Sequence, residues 1–537
     1  MAAGNGAWPV RGSGFTGGPP SSGAFGDGAM MRLDALTGGV GLSRRALIGG
    51  LLAAGLALAV AVVLAPRAPR LGPQTTGDPG LASAVRAVAG ERGHQGLSVA
   101  LVEGDRVRTA GLGDSGDAGR PAVDATTGFE IGSIGKALTG MLLADLAADG
   151  AVPLDAPLRE VLPGVRFADP ETGSITVREL ASHRSGLPRL PLNAGTLGRM
   201  TMHFAAGHNP YEGIGPADVV AAAAGASPDG RGEFGYSNLG MAVAGEVAAR
   251  RAGTSYPELL RERILAPLGM DRTVVLAPRQ PAPFPHAVGQ KSGGQYAEMW
   301  RGAGYAPAGV GMWSTSADLA RFAGAMLDGT APGAAAAQPR FDVEENERIG
   351  LGWFTTKRGD REITWHNGGT GGFRSFIGLD RAADRAVVVL GNTDRDVDDI
   401  GLRLLDVDPK HGFDWRGSLI LGLTFFFPLS AGFGVLGVVR RRDSDPRRQA
   451  DRLTLVASVV SGAAVLLIAW RIGLWHQVPA AVWVAGVVTT AGGAWLGALR
   501  WRRLPTARGP RRWQNWVGAI FSVAFSGAVL ALASGLV

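Results

Sequence analysis

The sequence predicts an α+β domain, an antiparallel sheet flanked by helices with a helical subdomain, followed by an all-α bundle that crosses a membrane. Three observations predict it. Strand-like apolar runs occur early, at 97–102 and 107–111, and return as a block after residue 350, with helical periodicity between them. One sheet built from both ends of a segment, with helices laid on it, satisfies that order. Four uncharged apolar segments, 418–439, 453–470, 479–499 and 516–537, close the chain, each about the twenty residues that cross a bilayer. Finally, the charge is segregated. The chain carries a formal +7, yet residues 70–415 hold 34 Lys and Arg against 41 Asp and Glu, a balance of −7. The basic excess therefore sits in short loops beside apolar segments, which is a membrane-topology pattern and excludes a nucleic-acid surface.

Taken in order, residues 1–42 are rich in Gly, Ser and Pro without periodicity, as in a disordered tail. Residues 43–66 open on Ser43-Arg44-Arg45 and continue in an apolar run over 46–65. The paired arginines resemble a twin-arginine export signal. No clean small-x-small cleavage site follows the run, which favours an uncleaved signal-anchor over a removed signal peptide. Residues 67–78 form a Pro/Arg/Gly linker, and the globular domain spans 79–410. Helices are expected at 80–91, from Ser133 onward, and around 176–183, 217–225, 239–252, 256–264 and 316–328. The runs 97–102 and 107–111 flank Glu103-Gly104-Asp105 and predict a hairpin. Strands are expected at 350–355, 362–366, 373–379 and 386–391, with a short helix at 396–405.

The loops of the terminal segments fix an orientation. Residues 440–452 and 500–512 each hold six Arg, whereas Arg471 is the one basic residue between the middle two spans. Arg clusters stay cytoplasmic. Arg44 and Arg45 then lie inside and residues 67–417 outside, and all five spans obey one topology. Gly493 and Gly497 form a small-xxx-small pair suited to helix packing. The chain has no cysteine, so neither disulfides nor thiolate metal sites exist.

The chemistry concentrates at Ser133-x-x-Lys136. The chain has only four lysines (Lys136, Lys291, Lys357, Lys410) among 53 basic residues. Arginine does not deprotonate in proteins, so a lysine here suggests that a titratable amine is wanted. On one helix face the amine lies beside the hydroxyl and, when neutral, can take its proton. A helix N-terminus would add a free N–H and the positive end of the dipole, which favours developing negative charge. Two further pieces follow: Gly235-Tyr236-Ser237-Asn238 before a helix, and Trp365-His366-Asn367-Gly368-Gly369 at a strand end. His183 sits in a Ser-His-Arg-Ser-Gly turn and is read as structural. His203 and His208 are five apart without carboxylate companions, so no metal site is expected.

Together, Ser133-x-x-Lys136, Tyr236-x-Asn238 and His366-x-Gly368 resemble the serine β-lactamase/penicillin-binding-protein superfamily, closest to the branch with class C β-lactamases, D,D-peptidases, D-aminopeptidases and related esterases. The flanking runs Leu180-Ala-Ser-His-Arg-Ser-Gly-Leu-Pro188, Pro267-Leu-Gly-Met270 and Gly309-Val-Gly-Met-Trp-Ser-Thr-Ser-Ala-Asp-Leu319 are similar to that branch as well. The resemblance covers about residues 80–395 and implies a β-lactamase/transpeptidase-like fold. It implies that Ser133 is the nucleophile, Lys136 and Tyr236 move protons, and Asn238 hydrogen-bonds Lys136 and the substrate. The N–H groups of Ser133 and Gly369 would form the oxyanion hole, with His366 and Gly368 in the substrate-binding strand. No cofactor is implied. Where a β-lactamase has Lys-Thr-Gly this chain has His366-Asn367-Gly368, which removes a fixed cation and shifts the expectation from β-lactams toward small peptides or esters. The expected protein is a membrane-anchored serine hydrolase of the bacterial cell membrane, its catalytic domain outside. The alternative is an acylation-only or non-catalytic sensor of penicillin or peptidoglycan that signals through the four-helix tail.

Overall fold

The middle strands of the central sheet are largely apolar because both of their faces are covered. The computed structural model describes residues 44–282, 284–409, 415–439 and 451–506, with single residues between 513 and 524. The sheet comprises β1 (Thr75–Gly77), β2 (Gly96–Glu103), β3 (Arg106–Gly113), β7 (Phe341–Glu344), β8 (Glu347–Ile349), β9 (Phe354–Arg358), β10 (Arg361–Gly369), β11 (Arg374–Asp380) and β12 (Arg385–Gly391), while β4 (Phe129–Glu130), β5 (Val274–Val275) and β6 (Met312–Ser314) form a small separate sheet. The order in the large sheet is β1-β3-β2-β12-β11-β10-β9-β8-β7, antiparallel throughout. The early hairpin and the late strands meet at β2–β12, as the order of apolar runs predicts. The fold is the expected α+β arrangement.

Alternation along β2 and β12 divides two cores. Leu97, Val99, Leu101, Val387 and Val389 pack with Leu81 and Val85 from helix Pro79–Ala89 and Ile400 and Leu404 from helix Asp398–Leu404. Ala100, Val102, Val388 and Leu390 face the larger core, which holds the helical subdomain. Three helices there position the site, and with the long apolar helices from the two ends of the chain they are labelled in chain order: α1 (Arg44–Leu64), α2 (Ile134–Ala148), α3 (Ala194–Ala206), α4 (Asn238–Ala252), α5 (Trp415–Val439), α6 (Arg452–Ile472) and α7 (Ala481–Arg500). Helix α2 is apolar around its whole circumference, with Ile134, Leu138, Met141, Leu142 and Leu143 all buried, as a helix central to a core must be.

Three sequence expectations are corrected. The linker 67–78 is partly built into the domain. Thr75–Gly77 pairs with β3, and the Leu71 N–H donates to the Glu91 carbonyl at 2.9 Å. Two β-branched threonines suit an edge strand although they carry no apolar signal. The strand expected at 350–355 starts only at Phe354, because Gly352 has φ +69° and a Cβ there would lie 2.3 Å from the Lys136 carbonyl oxygen. That segment is a turn pressed onto α2. Helix α3 was not expected at all. Asn193 caps it by accepting from the Thr196 N–H at 2.8 Å, and Gly207 ends it at φ +78°.

Helices α5, α6 and α7 are each long and apolar enough to cross a membrane. The 21 residues of α1 pack on α7, where Gly49 and Gly50 meet the Trp495 indole. Close approach of α7 to its neighbours uses glycines, as the spacing of Gly493 and Gly497 suggests. Gly493 faces Val435 of α5, and Gly497 faces Leu455 of α6. The tail expected at 1–42 lies outside the described residues, as does most of the expected span 516–537.

Candidate active site

Ser133 immediately precedes α2 and adopts φ −65°. The Lys136 ammonium donates to Ser133 Oγ at 2.7 Å and to the Ala308 carbonyl at 2.8 Å. Lys136 is fully buried. Burial pushes its pKa down, the Arg189 guanidinium adds to that, and Tyr236 opposes it. Removing a charge from water favours the neutral amine. The Tyr236 ring lies 5.1 Å from Lys136 Nζ, with Arg189 5.2 Å from the same ring. Tyr236 is held just before α4, whose cap Ser237 accepts from the Gly240 N–H at 2.8 Å. Sequence spacing therefore translates into one cluster of Ser133, Lys136 and Tyr236.

Strand β10 runs past this cluster at backbone distance. A Cβ on Gly368 would lie 2.0 Å from the Ile131 carbonyl oxygen, and one on Gly132 (φ +50°) would lie 2.7 Å from the Gly369 nitrogen. Only glycines let the segment before Ser133 and the end of β10 approach so closely. Ser375 on β11 ties them by donating to the Ile131 carbonyl at 2.7 Å. The Gly369 amide is thus a neighbour of the backbone leading into Ser133.

Two residues sit differently from expectation. Asn238 does not bond Lys136. Its Nδ2 donates to the Tyr211 hydroxyl at 3.4 Å, and its Oδ1 is buried without a protein partner. As the first residue of α4 its side chain follows the helix toward Tyr211. His366 is 1% exposed and lies beneath the cluster rather than in the cavity wall. Its Nδ1 is 2.6 Å from the Asn367 carbonyl and its Nε2 has no protein partner. Burial, with Lys136 nearby, pushes its pKa down to about 3. It is therefore neutral. Asn367 points to the opposite side of the sheet and donates to Asp398 at 2.6 Å.

Three contributors lie outside the three short motifs, His183 among them although it falls in the flanking run 180–188. His183, in the turn read as structural, is fully buried at φ +57°, accepts the Ser237 N–H on Nδ1 at 3.3 Å and packs on Tyr236. Arg189 follows Pro188 in the same turn. Glu130 on β4 is buried, and its carboxyl bonds Thr370 at 2.6 Å and the Trp300 N–H at 2.7 Å. Burial pushes its pKa up to about 8 against these hydrogen bonds. A cavity of about 730 Å³ opens over Ser133, bounded by Tyr236, Arg189 and Gly369. Among the described residues no group of three or more His, Asp or Glu converges as metal ligands would.

The profile of the Beta-lactamase family matches residues 81–408. The chain belongs to the β-lactamase family. Curated relatives include the unguisins hydrolase ungD' of Aspergillus campestris, 29% identical over 60% of this chain and 64% of its own length. Penicillin-binding protein 4 of Amycolatopsis lactamdurans is 30% identical over 39% of this chain and 54% of its own length. The D-alanyl-D-alanine-carboxypeptidase/endopeptidase AmpH of Escherichia coli K12 is 29% identical over 35% and 47%. The chain thus spans between 47% and 64% of the length of these relatives. A class C β-lactamase from Rhodobacter sphaeroides shares the fold, with a TM-score of 0.52 at 22% identity, covering 61% of this chain and 98% of that one. The matched region ends before α5, so the long apolar helices of this β-lactamase family member lie outside the shared domain.

Proposed function

We propose that the protein is a serine hydrolase that cleaves an amide or ester through an acyl-enzyme. The observation that carries this reading is the 2.7 Å contact between Ser133 Oγ and a fully buried Lys136 amine. In the neutral amine that contact reverses, and the hydroxyl donates. Ser133 Oγ bonds to the carbonyl carbon as its proton passes to Lys136 Nζ. The oxyanion is held by the N–H groups of Ser133 and Gly369. The C–O or C–N bond then breaks while Tyr236 and Lys136 deliver the proton to the leaving oxygen or nitrogen. Water adds to the acyl carbon by the reverse relay and releases the acid. No cofactor enters these steps.

Substrates are small: a D-amino-acid peptide, a peptidoglycan-related fragment, an ester or a β-lactam. A neutral buried His366 holds no carboxylate, which weighs toward peptides and esters over β-lactams. The catalytic domain works outside the cytoplasmic membrane of a bacterial cell. The observation behind that placement is that the domain lies at the ends of α1, α5 and α6 opposite the Arg-rich loops, and Arg-rich loops stay cytoplasmic.

The test is nitrophenol release from an activated acyl ester by the full chain in detergent, wild type against Ser133→Ala. Turnover lost in the variant is expected. Equal rates overturn the assignment, and a stable adduct without turnover selects a sensor that is acylated only.

A further inference from the structure

The cavity over Ser133 has walls from two sources. Ser133, Tyr236 and Gly369 come from the catalytic domain, whereas Ile420, Arg471 and Ile472 come from α5 and α6. Ile420 lies near the start of α5, and Ile472 is the last residue of α6. These are the ends facing the domain. They are fixed there by Gln295, whose Nε2 donates to the Trp470 carbonyl at 2.8 Å, and by Ser292, whose hydroxyl donates to Gly473 at 2.9 Å. Arg471 also donates to the Ala206 carbonyl at the end of α3. The Trp470 indole donates to the Leu64 carbonyl at 2.9 Å, so the end of α1 lies at the same depth. Trp470, Trp475 and Trp483 pack together in one buried cluster between these helices.

Two consequences follow. Ser133 opens beside the domain-facing ends of α5 and α6. Its cavity also has a neighbour. A second space of about 1620 Å³ shares the walls Arg374, Asp394, Ile420 and Ile472 and runs on between helix Asp398–Leu404 and the membrane helices. The shared boundary joins isoleucines from the helices to charged side chains from the domain. Such a passage suits a molecule with an apolar part and a polar part at once.

We propose that the substrate is an amphiphile drawn from the bilayer, an ester or amide bearing a hydrocarbon chain that lies along Ile420 and Ile472 while its carbonyl reaches Ser133. This rests on the acyl-hydrolase reading of the site, and the bond changes are those already given.

The experiment reconstitutes the full chain into phosphatidylcholine vesicles and compares two esters, 4-nitrophenyl hexadecanoate in the bilayer and 4-nitrophenyl acetate in the water, with Ser133→Ala subtracted from each. The expected result is a kcat/KM at least about tenfold higher for the long-chain ester, a factor that about two buried methylenes supply. The paired substitution Ile420→Ser and Ile472→Ser should lower that ratio severalfold. A wild-type ratio at or below one, with Ser133-dependent acetate turnover present, overturns the proposal and leaves the hydrolase standing. An unchanged ratio in the paired variant overturns the route along α5 and α6. Absence of Ser133-dependent release from both esters removes the hydrolase reading and the proposal with it. The wild-type ratio decides the matter even where the paired variant does not insert.

Discussion

The His183 imidazole lies 4.4 Å from the Tyr236 phenol, centroid to centroid, with the ring planes inclined by 39°. His183 also fixes the backbone before α4 through the Ser237 N–H. It therefore holds Tyr236 from below and from behind, without reaching the cavity. Its own pKa is pushed well below the usual range by burial and then by Lys136, so it acts as a neutral prop. His183→Ala should lower kcat by about tenfold to a hundredfold, the scale of a misplaced catalytic group, with little change in KM. Steady-state kinetics on an activated ester check this. An unchanged kcat would show that Tyr236 needs no such support.

Arg189 helps keep Lys136 neutral, and it is solvent-exposed. Because Lys136 acts as a base only when unprotonated, kcat/KM should rise with pH along an acid limb that reports its pKa. Removing Arg189 raises that pKa, so Arg189→Met should move the limb to higher pH. Salt should move the wild-type limb the same way, since an exposed charge is screened. His366 titrates at about 3 and adds no step near neutrality. A pH–rate series at two ionic strengths measures all of this.

Gly368→Ala should disrupt the site. Its Cβ would lie 2.0 Å from the Ile131 oxygen and 2.3 Å from Ser375 Oγ, two atoms already bonded to each other. Strand β10 must then move away from Ser133. We expect a loss of about a hundredfold or more in kcat with the variant still folded, measured by turnover alongside circular dichroism.

Glu130 links stability to pH. Its carboxyl is pushed up to about 8 in the folded chain against 4.5 when unfolded. Between those values the folded state holds a proton that the unfolded state has lost, so stability falls as pH rises from about 4.5 to about 8. In the protonated form one oxygen accepts from Trp300 and the hydroxyl donates to Thr370. Glu130→Gln reproduces that pattern and should flatten the slope. Thermal unfolding across that window tests it, and an equal slope in both proteins would refute it.

The sequence made much of this molecule legible because motif and periodicity coincide. Ser133 and Lys136 share a turn of a helix whose apolar residues are visible as such, and β2 and β12 are largely apolar runs. The missing parts are those decided by long-range contacts. Helix α3 contains two glycines and two threonines and stands on its caps and its contact with α6. The Thr75–Gly77 strand exists because β3 offers an edge. His183 belongs to the site only because the turn after Ala181 folds back under the chain at Tyr236, which lies over fifty residues later. No spacing rule reports that.

The linker ahead of β1 has a mechanical meaning. The Arg67 N–H donates to the Gly293 carbonyl at 2.9 Å, and β1 then joins the sheet, so the chain is pinned to the domain within a few residues of leaving α1. At the other end Gln295 and Ser292 hold the loop between α6 and α7. A domain fastened at two points cannot swing outward as on a leash. On the membrane placement proposed above, its search is two-dimensional, confined to the plane its helices sweep by lateral diffusion.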